Sequence, residues 1–595
     1  MPEPTMTLPD PIARRTRLSW LPGVLLAAAL GACTTPPQPQ PVASPPRVQL
    51  PATAQPAGPA PAPELVAPTP AAPASVGMES PPYSAAVAAR FPDPPIRYDT
   101  PAFAAGHPGF TSNAELQALL RGLARDSGRG GSASRVHLLP LGTSQGGVPL
   151  EALLFTHLGE TTPAALVATG RPTVLLVGQQ HGNEPAGSEA LIVLAQQLAR
   201  GRLEALLDRI NVLILPRANP DGAAADRRAT ASGIDSNRDH LLLRTPEAQA
   251  QAALLRDYRP VVVVDAHEFS VGGRYLEKFG AVQRADALLQ YATTANLPEF
   301  MTRAAEEWFR QPILASLKRE GLSSDWYYTT SLEADDKRVS MGGTRPDTAR
   351  NVQGLANTVS LLIETRGVGL GRLHLARRVH TQVVAMTSVL DSAATRADDL
   401  VKLRTFVDNE VSALACQGEA VVEAGPTQSE YDLVLIDPVT GADKKVAVTW
   451  ESALQLQVLK TRARPCGYWL AADQQDAVRH LRALGVQVQR VDEMGVMRGE
   501  TYHELSREIG ARQDARGSIA DGAGVVLVKV QTVPTLVDVA VGSWYVPLDQ
   551  PLANLVIAAL EPDTQNSFLA SGAVGSLAGV ARVLARPEVR TTVIP

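Results

Sequence analysis

From about residue 91 onward the chain alternates short β-branched runs with amphipathic ones. The runs at 136–141, 173–177, 211–215, 261–265 and 360–363 are each bounded by Gly, Pro or polar residues, and they predict strands. Between them, 187–200 and 247–256 repeat apolar residues at spacings of three and four, the period of one helical face. Such alternation predicts an α/β layer on a largely parallel or mixed sheet, with ligands held beyond the carboxyl ends of the strands. A helical region from about 373 to 415 closes this first domain, set at 91–400. The texture then changes. Strand-like runs at 432–436, 446–450, 486–491 and 525–530, with a helix near 475–484, predict a strand-rich α+β domain over 401–595.

The front of the chain has neither pattern. Arg14, Arg15 and Arg17 precede an apolar stretch at 21–32, the charged start and short greasy middle of a secretory signal, too short for a comfortable membrane span. It ends Leu30-Gly31-Ala32-Cys33, which resembles a bacterial lipobox, so 1–33 is read as a lipoprotein-type signal with Cys33 lipidated; a plain cleavable signal is the alternative. Sixteen of the 47 prolines then fall within 34–82, interleaved with Ala, Gln and Thr. Proline-rich chain of this kind extends by about 3 Å per residue, and 34–90 is assigned as a disordered tether. No apolar run beyond Cys33 is long enough to cross a bilayer, and no glycine-rich nucleotide fingerprint occurs.

Composition narrows the class. At 595 residues the chain exceeds what one core usually serves, which supports the division into domains. A net charge of −5 argues against a nucleic-acid partner, which needs clustered Lys and Arg. Three cysteines rule out a disulfide scaffold, and in an exported protein Cys416 and Cys466 are expected to pair.

Three local signals carry chemistry. Gly178-Gln179-Gln180-His181-Gly182-Asn183-Glu184-Pro185 lies between a strand and a helix, where a His and a carboxylate three apart can aim two ligands at one metal ion. The strand at 261–264 runs into Asp265-Ala266-His267-Glu268, and a histidine at such a tip either reaches the same crevice or serves as a hydrogen-bonded rim residue. The greasy strand Leu361-Leu362-Ile363 runs into Glu364-Thr365-Arg366. Burial raises a carboxylate toward the pKa that a general base needs, unless a cation such as Arg366 pairs with it.

Taken in order with Asn219-Pro220-Asp221-Gly222, with Arg228 and with Gly233-Ile234-Asp235-Ser236-Asn237-Arg238-Asp239, these motifs make residues 110–370 resemble the zinc carboxypeptidases of the carboxypeptidase A type, peptidase family M14, in a bacterial exported lipoprotein form. The resemblance implies an α/β/α sandwich around a mixed eight-stranded sheet, with one zinc ion at the strand ends. It implies His181, Glu184 and His267 as zinc ligands and Glu364 as the catalytic glutamate. Arg228 matches the arginine that polarises the scissile carbonyl, Asn237 and Arg238 the pair that grips the terminal carboxylate of a peptide, and Asp235 the carboxylate that orients His181. Three protein ligands leave zinc a fourth position for water, from which Glu364 takes a proton.

Two departures stand out. The family commonly carries a tyrosine on a mobile loop before the catalytic glutamate, and 341–351 has none, leaving Tyr327, Tyr328, Arg345 or Arg350 for that contact. Asp239 stands where asparagine is frequent, and His240 beside it is either a rival metal ligand or a rim residue. The leading reading is a zinc metallocarboxypeptidase of peptides or cell-wall stem peptides, facing the periplasm or cell exterior. An N-acyl amino acid deacylase on the same fold and a non-catalytic peptide- or peptidoglycan-binding lipoprotein are the alternatives.

Overall fold

Runs of Val, Leu and Ile without alternation suit a sheet covered on both faces, and this is the sheet they build. The computed structural model describes residues 81–127, 134–519 and 524–594; the signal with Cys33 and most of the tether lie outside the described residues. In chain order the strands are β1 (Arg135–Thr143), β2 (Pro149–Thr156), β3 (Thr173–Gly178), β4 (Asn211–Leu215), β5 (Val262–Ser270), β6 (Ala287–Tyr291), β7 (Ser324–Trp326), β8 (Thr329–Thr330), β9 (Arg338–Ser340) and β10 (Val359–Val368). Eight of these form one sheet in the order β1-β2-β4-β3-β5-β10-β6-β7. Its centre, β4-β3-β5-β10, is parallel, and antiparallel pairs flank it, so the sheet is mixed as expected.

All six residues of β3 are buried. Val174 and Leu176 pack in one cluster with Leu191 and Leu194 of the helix Pro185–Arg200 and with Val379 and Val383 of the helix Leu375–Thr395. Leu175 and Val177 point the other way, against Leu166 and against Leu254 of the helix Pro246–Tyr258. Period-2 side-chain alternation thus feeds two apolar layers from one strand, each fully buried Val or Leu contributing about 1.5–3 kcal/mol of transfer free energy. The result is the α/β/α sandwich.

The helical region expected at 373–415 is two helices, Leu375–Thr395 and Ala397–Ala413, broken at Arg396. The packed body also begins earlier than residue 91. Tyr83, Val87 and Phe91, four apart, are buried against Phe269, Val271 and Leu288, so the last residues assigned to the tether form part of the core. Proline density had marked only 34–82; the apolar spacing that follows was the better guide.

The remaining chain is strand-rich. β11 (Glu419–Ile436) and β12 (Asp443–Ala463) form a long antiparallel hairpin whose second strand, β12, also pairs with β9. Next come β13 (Gly467–Leu470), β14 (Gln489–Val491), β15 (Gly495–Gly510), β16 (Gln513–Asp514), β17 (Gly517–Ser518), β18 (Val525–Val539), β19 (Trp544–Pro547), β20 (Val580–Val583) and β21 (Thr591–Val593). Seven of them make a second sheet, β18-β15-β20-β13-β19-β14-β21, while β16 and β17 make a small hairpin at the far end of the β15–β18 pair. Cys416 and Cys466 are disulfide-bonded, which ties together the two ends of the β11–β12 hairpin.

That bond closes a loop of 50 residues. Replacing both cysteines by serine is expected to lower stability by about 2–4 kcal/mol, read as a lower urea midpoint, with any steepening of the slope reporting the freed unfolded chain. An unmoved midpoint overturns the clamp.

Candidate active site

The carboxyl ends of β3, β5 and β10 meet at one crevice. After β3 the chain turns sharply, with Gln179 in the left-handed region (φ 51°), and enters the helix at Pro185. A Cβ at Gly182 would lie 1.9 Å from the Gly222 carbonyl carbon, so only glycine lets the 181–184 turn rest on the Asn219–Gly222 turn. Asn219 fixes that turn: its Oδ1 accepts from Gly222 N (2.9 Å), and its amide donates to the carbonyls of Gln180 (3.2 Å) and Arg228 (3.3 Å). The Asn-Pro-Asp-Gly motif therefore splices the metal-ligand turn to the loop that carries Arg228.

His181, Glu184 and His267 converge and are all buried. His181 Nδ1 lies 2.8 Å from Glu184 Oε1, His267 Nδ1 lies 2.8 Å from Glu184 Oε2, and the two Nδ1 atoms are 3.0 Å apart. Each ring turns its Nε2 to a carboxylate, His181 to Asp235 (3.1 Å) and His267 to Asp265 (2.8 Å). Those partners fix the Nε2 protons and leave both Nδ1 lone pairs facing the Glu184 carboxylate. Glu268 N donates to Glu184 Oε2 (3.0 Å) and Arg228 Nη1 reaches the rim of the set, but three buried ligand groups that only accept from one another favour a cation between them. Burial disfavours charge on His267, yet Asp265 and Glu184 outweigh it and raise the ring well above its ordinary pKa, so without metal the centre takes up a proton instead. The residues thus fit a zinc ion, with the nitrogen and oxygen donors that zinc accepts.

Asp265 is a functional residue that the sequence motifs did not single out. It lies two residues before His267, on the same face of β5, a spacing that could have revealed it. Gln180 holds it from one side (2.6 Å) and the Asn237 amide from another (3.3 Å).

Glu364 is brought to the triad by strand register. β10 runs parallel to β5 with Glu364 opposite His267 and Leu362 opposite Asp265, so Glu364 stands on the same face as the ligands. Burial pushes its pKa up to about 7, with Glu184 adding to the rise and His267 and Arg228 opposing it. Arg366 does not neutralise it: that guanidinium sits 3.3 Å from the centroid of the Phe91 ring, a cation–π contact at the N-terminal segment.

Arg228 donates through Nε (2.9 Å) and Nη2 (2.8 Å) to Asp235, and its Nη1 lies 3.1 Å from His181 Nδ1. Asn237 and Arg238 are already engaged. The Asn237 Oδ1 accepts from Ala349 N (2.8 Å), which turns the side chain toward Asp265. Arg238 donates to Asp514 Oδ2 through Nη2 (2.7 Å) and Nε (3.2 Å). Asp514, Ala515 and Arg516, from the β16–β17 hairpin, line the same cavity of about 280 Å³, so the strand-rich part of the chain completes the site. Nothing in the local sequence around 514 announced this, because the contact spans the whole chain.

The remaining candidates separate. Tyr327 and Arg350 line the cavity, the guanidinium 5.9 Å from the Tyr327 ring. Tyr328 is held between Tyr275 and Trp450. Arg345 leaves the site and donates to Gln513 O (2.6 Å). His240 faces Gln180 Oε1 (2.7 Å) and is outside the ligand set, and Asp239 caps the following turn through Thr245 (2.8 Å).

The strand ends thus present two histidines, two glutamates and a bank of arginines around one cavity, a possible metal site with cationic groups beside it. Residues 129–367 match the family model of the zinc carboxypeptidases, peptidase family M14. The chain is 27% identical over 410 residues to carboxypeptidase 2 of Trichophyton equinum, covering 67% of this chain and 74% of that protein. Carboxypeptidase 2 of Trichophyton rubrum is 28% identical over the same shares. Among solved structures, a metallo-carboxypeptidase from Pseudomonas aeruginosa aligns at 20% identity with a TM-score of 0.35, covering 48% of this chain and 68% of that one. The protein is a metallocarboxypeptidase.

Metal analysis is expected to find one zinc per triad, lost in Glu184→Ala; zinc retained by that variant removes Glu184 from the ligand set. A second expectation concerns the metal-free protein. Because the folded chain keeps the Glu364 proton up to about pH 7 while the unfolded chain loses it in the ordinary carboxylate range, stability falls as pH rises between the two. Glu364→Gln abolishes that slope, so urea midpoints of variant and parent should coincide in their pH dependence below pH ~4 and diverge in the variant's favour by pH 8. A constant difference across pH contradicts the raised pKa.

Proposed function

We propose that the protein is an exported zinc carboxypeptidase that removes the last residue of peptides or cell-wall stem peptides, tethered to a membrane through lipid on Cys33. The observation that carries the enzymatic part is the register that stands Glu364 beside His267, at the converging ligand atoms of His181, Glu184 and His267. Zinc on His181, Glu184 and His267 would supply Lewis acidity and an acidified water. Glu364, with its raised pKa, is suited to take a proton at its carboxylate and return it to the departing amine near neutral pH. Arg228 uses Nε and Nη2 to fix its plane on Asp235, leaving Nη1 toward the triad, where the scissile carbonyl oxygen gains charge.

The terminal carboxylate has a matching charge to meet. Arg228, Arg238 and Arg516 share two carboxylates: Asp235 lies 2.8 Å from Arg228 and 3.6 Å from Arg516, and Asp514 lies 2.7 Å from Arg238 and 3.4 Å from Arg516. Glu184 also lies 3.5 Å from Arg228, so these acids orient the three guanidinia, which line the cavity and present their donors to the substrate. The Cys416–Cys466 bond supports an oxidising compartment, in keeping with the signal-like leader.

Glu364→Gln is expected to lower hydrolysis of C-terminally free peptides by about 10²–10⁴-fold while zinc stays bound. Undiminished turnover removes Glu364 from the mechanism, and turnover of N-acyl amino acids but not peptides replaces this reading with a deacylase. Labelling with a palmitate analogue should mark the parent and not Cys33→Ala; label on the variant sinks the lipid anchor.

A further inference from the structure

The catalytic cavity holds a second buried cation, Arg350, on which Tyr327, Asp347 and Glu364 act only at a distance. Arg350 is only 4% exposed and lines the cavity. Its Nη2 donates to Gly343 O (3.1 Å), but its Nε has no partner, and among the described residues no carboxylate lies within ion-pair distance. The Tyr327 ring, its centroid at 5.9 Å, gives it only a cation–π contact at the edge of the effective range. Thr348, on the same loop and lining the same cavity, is 3% exposed and its hydroxyl also has no partner. A desolvated guanidinium beside an unpaired hydroxyl is costly unless an anion completes it. Arg366 offers the contrast: also buried with free nitrogens, it is covered by Phe91 and does not line the cavity.

The surroundings fit a particular anion. Leu362 lies two residues before Glu364 on the same face of β10 and lines the cavity, giving an apolar floor for methylene groups. Gly342 (φ +89°) makes room, since a Cβ there would lie 2.8 Å from Arg350 Nη2 and 2.9 Å from the Tyr327 ring. The terminal carboxylate already has the guanidinium donors of Arg228, Arg238 and Arg516. Arg274, the remaining arginine of the lining, is partly exposed, where solvent screens it.

We infer that Arg350, with Thr348, receives the side-chain carboxylate of the substrate's last residue, so that the enzyme prefers peptides ending in Glu or Asp; this rests on the carboxypeptidase reading above. The planar fork of arginine suits a carboxylate, and a peptide ending in Gln has the same shape without the charge.

The test compares kcat/KM of the zinc-loaded enzyme for three tripeptides that differ only in a terminal Glu, Gln or Leu. The Glu-to-Gln ratio is expected to be on the order of 100 in the parent and to fall toward 1 in Arg350→Met. A parent ratio near 1 overturns the inference while leaving the carboxypeptidase reading intact. An equal loss on all three peptides in the variant also overturns it, since that places Arg350 on the terminal carboxylate. Failure of the parent to cleave any of the three overturns the underlying reading and the inference with it.

Discussion

The pairing of β10 with β5 is the constraint on which the catalytic face depends. In a parallel pair each strand presents alternate residues to one face, and Glu364 and His267 share a face only because they stand opposite each other. A slip of one residue would turn Glu364 and Leu362 to the helix side and bring Ile363 to the metal ligands. The register is held from both sides of the sheet: Leu361 and Ile363 belong to one apolar layer, and β6 pairs antiparallel along the opposite edge of β10. Core packing and catalytic geometry are therefore the same set of contacts.

Electrostatics form the second layer of organisation. Acidic groups outnumber what the metal needs and are used to aim other groups: Asp235 and Asp265 each hold a histidine, and Glu268, at the cavity wall, is paired with Arg378 at 2.7 Å. The arginines are distributed unevenly among the acids that remain. Buried charge of this kind is poor at stabilising a fold and good at specifying what may enter it, because each unmatched cation remains costly until a ligand arrives.

Much of this was legible in the sequence, and the parts that were not share a cause. Strands such as 173–177 and 211–215 are continuous apolar runs because both faces are buried, and such runs can be read without any neighbour. The ligands were legible because His181 and Glu184 lie on one turn, and because His267 and Glu364 each end such a run. Asn237 and Arg238 were found by motif, yet their engagement with Ala349 and Asp514 was invisible, since it depends on chain far away in sequence. The same holds for Arg366, whose apparent partner Glu364 lies on its own strand and whose actual one, Phe91, arrives from the N-terminal segment.

The β16–β17 hairpin makes the cavity a joint product of two distant stretches of chain. Residues 129–367 carry the family's motifs, but residues 514–516 line the cavity with them. Strand ends that hold ligands to a fraction of an ångström tolerate little change, whereas a short hairpin at the edge of another sheet tolerates a good deal. A fragment cut at residue 400 would lose one wall of its own cavity and, with Leu433, Leu435 and Val448, part of the apolar cluster around Tyr328.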